Sequence, residues 1–526
     1  MLSKQVLCHL DGDIHGLSVP YLDFSSDDFA KLSTFFKFVN HVLSKRNNEV
    51  EVSCLKLKFR GKCSHSFVKR VVEYAVSHNV QQMSVTCLLD RDIDFPLSLF
   101  SSPSVKHFSL TREYFGSWRT IIYGRPGSGH RVYINPALTT WEFATLTTLH
   151  LSYVTFCGDN TTISIGGVLS KCGNLKSITL NHYKTTMSSP NGNGLITISH
   201  HQLSNLTLES GDSSVEVVNV VAPQLENLTL INWPQDCKHM VSAPNLRSLV
   251  CEGVYGFLHL NNDNNTDGCF SALEKADLCF TNPCGRSDAP HRIVGLFEQL
   301  RSVKSLTLNL EVVEFLASSP ELISEHPSPF PNLKNLSICP KRVSEPESDS
   351  KSDFVFESCI ELEEQVVPPI STSTVVNNYF LKGCPGANFT MVLREEIAPK
   401  LMDKLQVLLE KQKAMIEAEN NQKNELILGG KNNWKFLDAE CEQECLIISE
   451  LKQVKRLLTR LPASKRATFQ PRFAKLCADT NFVRSKLKDY IKNRSDEFDR
   501  QYRARLQQMY ASVFPAAVVN NSSCTT

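Results

Sequence analysis

The chain has 526 residues, of which 56 are basic, 55 acidic and 18 cysteine. That length leaves room for two or more domains with ample core, and the balanced charge argues against nucleic acid as a whole-chain partner. No run of about 18 apolar residues occurs, and Met1–Leu10 has no apolar h-region, so neither a membrane span nor a secretory signal is expected.

Residues 1–30 read as irregular, broken by Gly12, Gly16 and Pro20. Leu32, Phe35, Phe36, Val39, Val42 and Leu43 then recur at helical spacing and predict an amphipathic helix covering the N-terminal edge of a repetitive domain. That domain is marked by a six-residue skeleton, L-x-x-L-x-L, which returns again and again. It stands at Val52/Leu55/Leu57, Val80/Met83/Val85, Val105/Phe108/Leu110, Leu146/Leu149/Leu151 and Leu175/Ile178/Leu180. It continues at Leu203/Leu206/Leu208, Leu225/Leu228/Leu230, Leu246/Leu249/Cys251, Leu273/Ala276/Leu278, Val303/Leu306/Leu308 and Leu333/Leu336/Ile338. Copies typically about 21 to 30 residues apart are the mark of leucine-rich repeats.

Strand side chains alternate between faces, so the last two apolar residues of each copy share one face and the residue between them takes the other. No repeat buries its apolar edge alone, so neighbours must stack. The expected fold is α/β: a leucine-rich-repeat solenoid with a curved parallel sheet and helices and loops on its convex side.

Two such helices are predicted, Ser66–His78 and Arg292–Leu300, the first carrying Phe67, Val68, Val71, Val72 and Ala75 on one face. Short units, as from Leu225 to Leu246, leave no room for a helix and are expected to return by loops or 3₁₀ turns at Ala222-Pro223 and Ala243-Pro244. The unit from Val105 to Leu146 is overlong, and its insertion, with Tyr114, Trp118, Tyr123 and Trp141, is expected to form an aromatic rim loop. Residues 340–358 read as a solvated linker, Val375–Leu381 as a short helix and Ala387–Leu393 as the last strand.

From Glu395 the period changes. Leu401, Leu405, Leu408 and Met415 or Ile416 form one stripe, and Ile447, Leu451, Val454, Leu458 and Leu461 a seam of alternating fours and threes. Phe473, Leu476, Val483, Leu487, Tyr490 and Ile491 continue after Pro471. An α-helical hairpin or bundle is expected, with a coiled-coil-like seam and a frayed end. The domains are thus 1–48, 49–394 for the repeats and 395–526 for the helical tail. Basic residues gather in that tail, which a solvated helix face explains.

No chemistry is expected. Gly124-Arg-Pro-Gly-Ser-Gly-His130 lacks the lysine a phosphate loop needs, and no H-E-x-x-H, G-x-S-x-G or C-x-x-C pattern occurs. His200 and His201 are adjacent and would point apart in a strand, a poor metal pair. No cofactor or metal is called for. The cysteines, such as Cys54, Cys87, Cys251 and Cys279, suit small buried apolar positions in a reducing cytosol or nucleus.

In order along the chain, Leu22–Phe29, Phe38–Ser44, Phe67–Val72, Ser77–Gln82, Phe95–Ser101, Leu146–Ser152 and Val220–Leu225 closely resemble plant F-box/LRR-repeat (FBD-related) proteins. The resemblance covers about residues 20–395. It implies substrate recognition for an SCF-type ubiquitin ligase, with an F-box docking on a Skp-type adaptor that leads to the cullin, and repeats holding a target protein. The family's F-box needs roughly forty to fifty residues ahead of the repeats. Residues 1–48 are therefore expected to be an F-box remnant and an N-terminal capping helix. The alternative expectation is an F-box-less scaffold or decoy, self-associating through the helical tail. The candidate protein-binding positions on the concave face are Thr148, His150, Ser152, Thr179, Asn181, Thr207, Glu209, Thr229 and Ile231, with Tyr183 and Trp233 as anchors.

Overall fold

The computed structural model describes residues 19–26, 29, 31–60, 65–88, 102–112, 132–134, 141–158, 162–187, 194–211, 215–233, 237–254, 257–260, 270–281, 289–317, 319–326, 328–339, 375–392 and 394–422, and, within 446–486, all but 448, 449, 452, 456, 460 and 462. The chain divides into two compact units at Leu393/Arg394.

Among the described residues, the first unit is built on one parallel sheet of thirteen strands whose spatial order is their chain order. They are Tyr21–Ser25, Cys54–Arg60, Gln82–Leu88, His107–Arg112, Thr148–Ser152, Ser177–Asn181, Asn205–Glu209, Asn227–Ile231, Ser248–Val254, Lys275–Thr281, Ser305–Asn309, Asn335–Cys339 and Asn388–Met391. The skeleton fixes the register. Leu149 pairs with Ile178, Ile178 with Leu206, Leu206 with Leu228 and Leu228 with Leu249, and the second apolar row runs Leu151, Leu180, Leu208, Leu230, Cys251 in step with it. Both rows are buried. The residues between them, from His150 through Thr179, Thr207 and Thr229 to Val250, are half-buried on the opposite face.

Two elements differ from expectation in how the chain returns. Tyr21–Ser25, in the stretch expected to be irregular, is the sheet's first strand: Leu22 and Phe24 are buried, and Tyr21 pairs with Cys54. Helix Leu32–Lys45 therefore does not close the edge but lies in the same layer as helix His65–Ser77, with Phe36 and Phe67 rings 4.3 Å apart and Phe38 edge-on to Phe24. Its last turn hands over to the buried Arg46, whose guanidinium donates to the carbonyls of Val50, Glu51 and Val19. A buried cation is held here by backbone oxygens.

The short units return by strands, not by loops. A second parallel sheet runs Phe257–Leu260, Lys238–Ser242, Val215–Val221, Gly194–Ser199 and Thr162–Ser164. A third runs Lys184–Met187, Val154–Gly158 and Val132–Ile134. β-branched residues dominate Val215–Val221, where Val215, Val218 and Val220 are buried. The Ala-Pro pairs do form turns, one step later: Leu225 and Leu246 donate back to the carbonyls of Ala222 and Ala243, two residues before the next main strand.

Longer units carry helices, among them Ala289–Gln299 and Leu310–Ala317, whose Phe297, Val312 and Leu316 are fully buried. The helix at 376–381 is a π-helix that packs Tyr379 and Phe380 on Phe297. Trp141 is core and not rim: it is 1% exposed and edge-on to Phe108 and Phe143. Tyr114, Trp118, Tyr123 and the linker 340–358 lie outside the described residues. Burial pushes the thiols of Cys237 and Cys251 up to about 12, so both stay protonated near neutral pH.

The second unit holds helix Arg394–Gln422 and helical residues within 446–486. Its core takes Ile447, Leu451, Val454, Leu458 and Leu461 from one stretch and Phe473, Leu476, Thr480 and Val483 from another. The stripe on Arg394–Gln422 is shifted by one residue from expectation. Ala398, Met402, Leu405, Leu409 and Gln412 are buried, while Leu401, Leu408 and Ile416 are only partly so. Steps of four, three, four and three keep one seam inward, and that seam admits a small and a polar residue. Pro471 lies inside continuous helix over 463–486 instead of preceding it. Asp403 pairs with Arg472 and Lys413 with Asp479, so these two helices run in the same direction. Leu487, Tyr490 and Ile491 lie outside the described residues.

Because Leu228 is fully buried between Leu206 and Leu249, Leu228→Ala is expected to cost about 2–5 kcal/mol in urea unfolding followed by circular dichroism. Thr229→Ala, one residue on and half-buried on the other face, is expected to cost under about 1 kcal/mol.

Candidate protein-binding face

The face opposite the leucines presents three rows across the sheet. The first runs Thr148, Ser177, Asn205, Asn227, Ser248; the second His150, Thr179, Thr207, Thr229, Val250; the third Ser152, Asn181, Glu209, Ile231, Glu252. Strand spacing of about 4.8 Å puts neighbours in each row in contact. Asn227 donates to the Asn205 side-chain oxygen at 2.8 Å, and the threonines tile the middle row. Of the expected positions, Thr148, His150, Thr179, Asn181, Thr207, Glu209, Thr229 and Ile231 are half-buried on this one face.

Three expected positions are buried. Ser152 is 5% exposed, Tyr183 1% and Trp233 5%. The cause for the two aromatics is a backbone corner. Directly after the strands, Tyr153, His182, Ser210 and Asn232 each adopt positive φ, between 48° and 57°. Each donates its backbone N–H to the last strand residue of the next repeat: Tyr153 to Asn181, His182 to Glu209, Ser210 to Ile231 and Asn232 to Glu252. A left-handed residue breaks the two-residue alternation, so the next side chain turns inward. Tyr183 and Trp233 consequently sit 6.0 Å apart in a T-shaped pair inside the unit, Tyr183 edge-on to Phe156 and Trp233 to His239. Trp233 donates its indole N–H to the Leu208 carbonyl. Gly211 makes room for it, since a Cβ there would lie 2.7 Å from the indole ring.

The same corner puts aromatics where strand alternation predicts none. Tyr153 and His182 are half-buried and stacked, with centroids 4.6 Å apart and planes 14° from parallel, at the end of the third row. Their positive φ, unusual in a bulky residue, is not written in the alternation of the repeat.

Charge on the face is uneven. Glu209, Glu252 and Asp277 stand near Ile231 and Val250, with Lys275 as the cation of the same strand face. Burial holds the His150 imidazole below its usual pKa, against the opposing pull of Glu209. His200 is not a strand residue but opens a turn, stacked on His201 at 5.2 Å. Its Nδ1 accepts from the Gln202 amide and its Nε2 donates to the Cys172 carbonyl, which fixes the neutral tautomer. Burial lowers its pKa as well. Among the described residues no group of three His, Cys, Asp or Glu is placed to hold a metal ion, and no helix is long and apolar enough to cross a membrane.

Residues 68–260 match the family described as FBD-associated F-box protein At5g56370, LRR repeats. That stretch is similar to the leucine-rich repeats of this family. The match runs from helix His65–Ser77 to strand Phe257–Leu260 of the second sheet, so the face with its three rows and corners lies within the matched stretch. No curated protein and no solved structure matches the chain.

Tyr183→Ala and Trp233→Ala are each expected to cost about 3–5 kcal/mol in urea unfolding, and Tyr153→Ala and His182→Ala under about 1 kcal/mol. Because His150 and His200 bind protons less readily folded than unfolded, stability is full above about pH 6.5 and falls as pH drops below it. In unfolding titrations from pH 7 to 5, the double variant His150→Gln/His200→Gln is expected to show a shallower decline than the parent.

Proposed function

We propose that this chain is a non-catalytic binding protein whose outward sheet face receives a protein partner, in the setting of substrate recruitment to an SCF-type ubiquitin ligase. The observation that supports it most is the face itself. Rows of half-exposed hydroxyl, amide and carboxylate side chains stay in register from strand to strand, on a scaffold held rigid by the leucines behind them. Such a surface offers hydrogen-bonding groups at fixed spacing to an extended partner. The ligase setting rests on the likeness of residues 68–260 to FBD-associated F-box repeats. A Skp-type adaptor, the cullin and a target protein are the partners this reading implies.

The second reading is a scaffold or decoy that binds targets without ubiquitin transfer and pairs through its helical tail. Val407, 63% accessible on helix Arg394–Gln422, is an apolar residue of the second unit that such pairing would cover. Light scattering of the full chain then gives the mass of two chains and not one.

Proximity labelling in plant cells tests the face. The parent is expected to label target proteins together with adaptor and cullin, and Thr207→Arg/Thr229→Arg is expected to lose the targets. Identical labelling by parent and variant contradicts the reading. Targets without adaptor or cullin select the scaffold.

A further inference from the structure

The corners after five successive strands carry Tyr153, His182, Ser210, Asn232 and Gly253, all with positive φ. Asparagine and glycine take that conformation cheaply, and a bulky ring does not. Asn232 and Gly253 therefore need no further reason. Tyr153 and His182 do, because both are only half-buried and do not fill the core. What they build is a stack along the repeat direction, 4.6 Å from ring to ring, close to one strand spacing. The stack ends at His182, because the next corner carries Ser210, too small to continue it. Among the described residues, the imidazole of His182 has no ring against its second face and no hydrogen bond at either nitrogen.

Backbone bonds tie this end of the stack to the third row. The His182 N–H donates to the Glu209 carbonyl at 2.9 Å, and the Ser210 N–H to the Ile231 carbonyl at 2.8 Å. His182, Glu209, Ser210 and Ile231 are therefore neighbours on three adjacent strands, each half-buried. Along the repeat direction His182 stands one strand spacing before Ser210 and Ile231 one after it. That is about 10 Å in all, the room for one planar ring with a neighbour on either face. The Glu209 carboxylate, on the same strand as Ser210, has no hydrogen bond or ion pair of its own among the described residues. A ring seated over Ser210 thus meets an imidazole face, a branched aliphatic side chain and an acceptor at its edge. The matching side chain is planar, apolar over its faces and a hydrogen-bond donor at its rim, which describes an indole.

We propose that a tryptophan of the protein partner takes the third place in this stack, over Ser210, with its N–H on Glu209. The inference rests on the reading of the sheet face as a binding surface and names the side chain that anchors there.

Saturation-transfer NMR of the full chain with N-acetyltryptophan amide tests it, beside the corresponding phenylalanine and arginine amides. The tryptophan amide is expected to bind most tightly, with its ring protons taking up the saturation. His182→Ala is expected to weaken it about three- to tenfold. Glu209→Ala is expected to bring it down to the level of the phenylalanine amide, which has no ring donor. His201→Ala removes an exposed stacked imidazole outside the face and is expected to change affinity less than about twofold. Equal weakening by His182→Ala and His201→Ala overturns the proposal. So does a tryptophan–phenylalanine difference that survives Glu209→Ala, or tighter binding of the arginine amide. If the tryptophan amide fails to bind while Thr207→Arg/Thr229→Arg still strips the labelled targets, the tryptophan inference falls and the binding face stands. If both fail, the face reading falls too.

Discussion

Everything in the first unit depends on leucines that can be buried only between repeats. Leu206 is closed off by Ile178 on one side and Leu228 on the other, and Leu208 by Leu180 and Leu230. Neither residue reaches its buried state from its own repeat. A core made this way is a chain of shared contacts, so stability passes from neighbour to neighbour. It also dictates register, because a slip by one residue would turn every leucine outward and every threonine inward.

Function follows from the side that the leucines leave free. Holding the apolar rows in step also holds the polar rows in step, so Thr179, Thr207 and Thr229 line up without any need for contacts of their own. Where the strands end, the left-handed corners divide the aromatics. Tyr183 and Trp233 go inside and tie the main sheet to the return strands, and Tyr153 and His182 stay at the rim. Neutral small side chains in the middle of the face and carboxylates beside Ile231 give the surface a polarity that a uniform threonine sheet would lack.

The sequence carries the main sheet plainly, because Leu203/Leu206/Leu208 and its copies state both spacing and facing, and the helix over 65–77 is as plain in Phe67, Val68, Val71 and Val72. The corners are not legible in this way. Nothing about Tyr153 or His182 as residue types announces positive φ, and extending the alternation past the strand end puts Tyr183 and Trp233 on the wrong side. The return strands are blurred by adjacent valines, as at Val217-Val218, where a strict two-residue pattern breaks. Tyr21–Ser25 does alternate, with Leu22 and Phe24 inward, but five residues beside Pro20 are too few to stand out. On Arg394–Gln422, Leu401 and Leu408 are more apolar than Ala398 and Gln412, so composition favours a stripe one position away from the buried seam.

Hydrogen–deuterium exchange of a Leu249→Ala variant tests the shared-leucine account most directly, read strand by strand by mass spectrometry. Amides in the neighbouring strands Asn227–Ile231 and Lys275–Thr281 are predicted to lose protection along with Ser248–Val254, and the effect to fade before Cys54–Arg60. Loss confined to Ser248–Val254 would contradict the account, because each strand would then be stable without its neighbours.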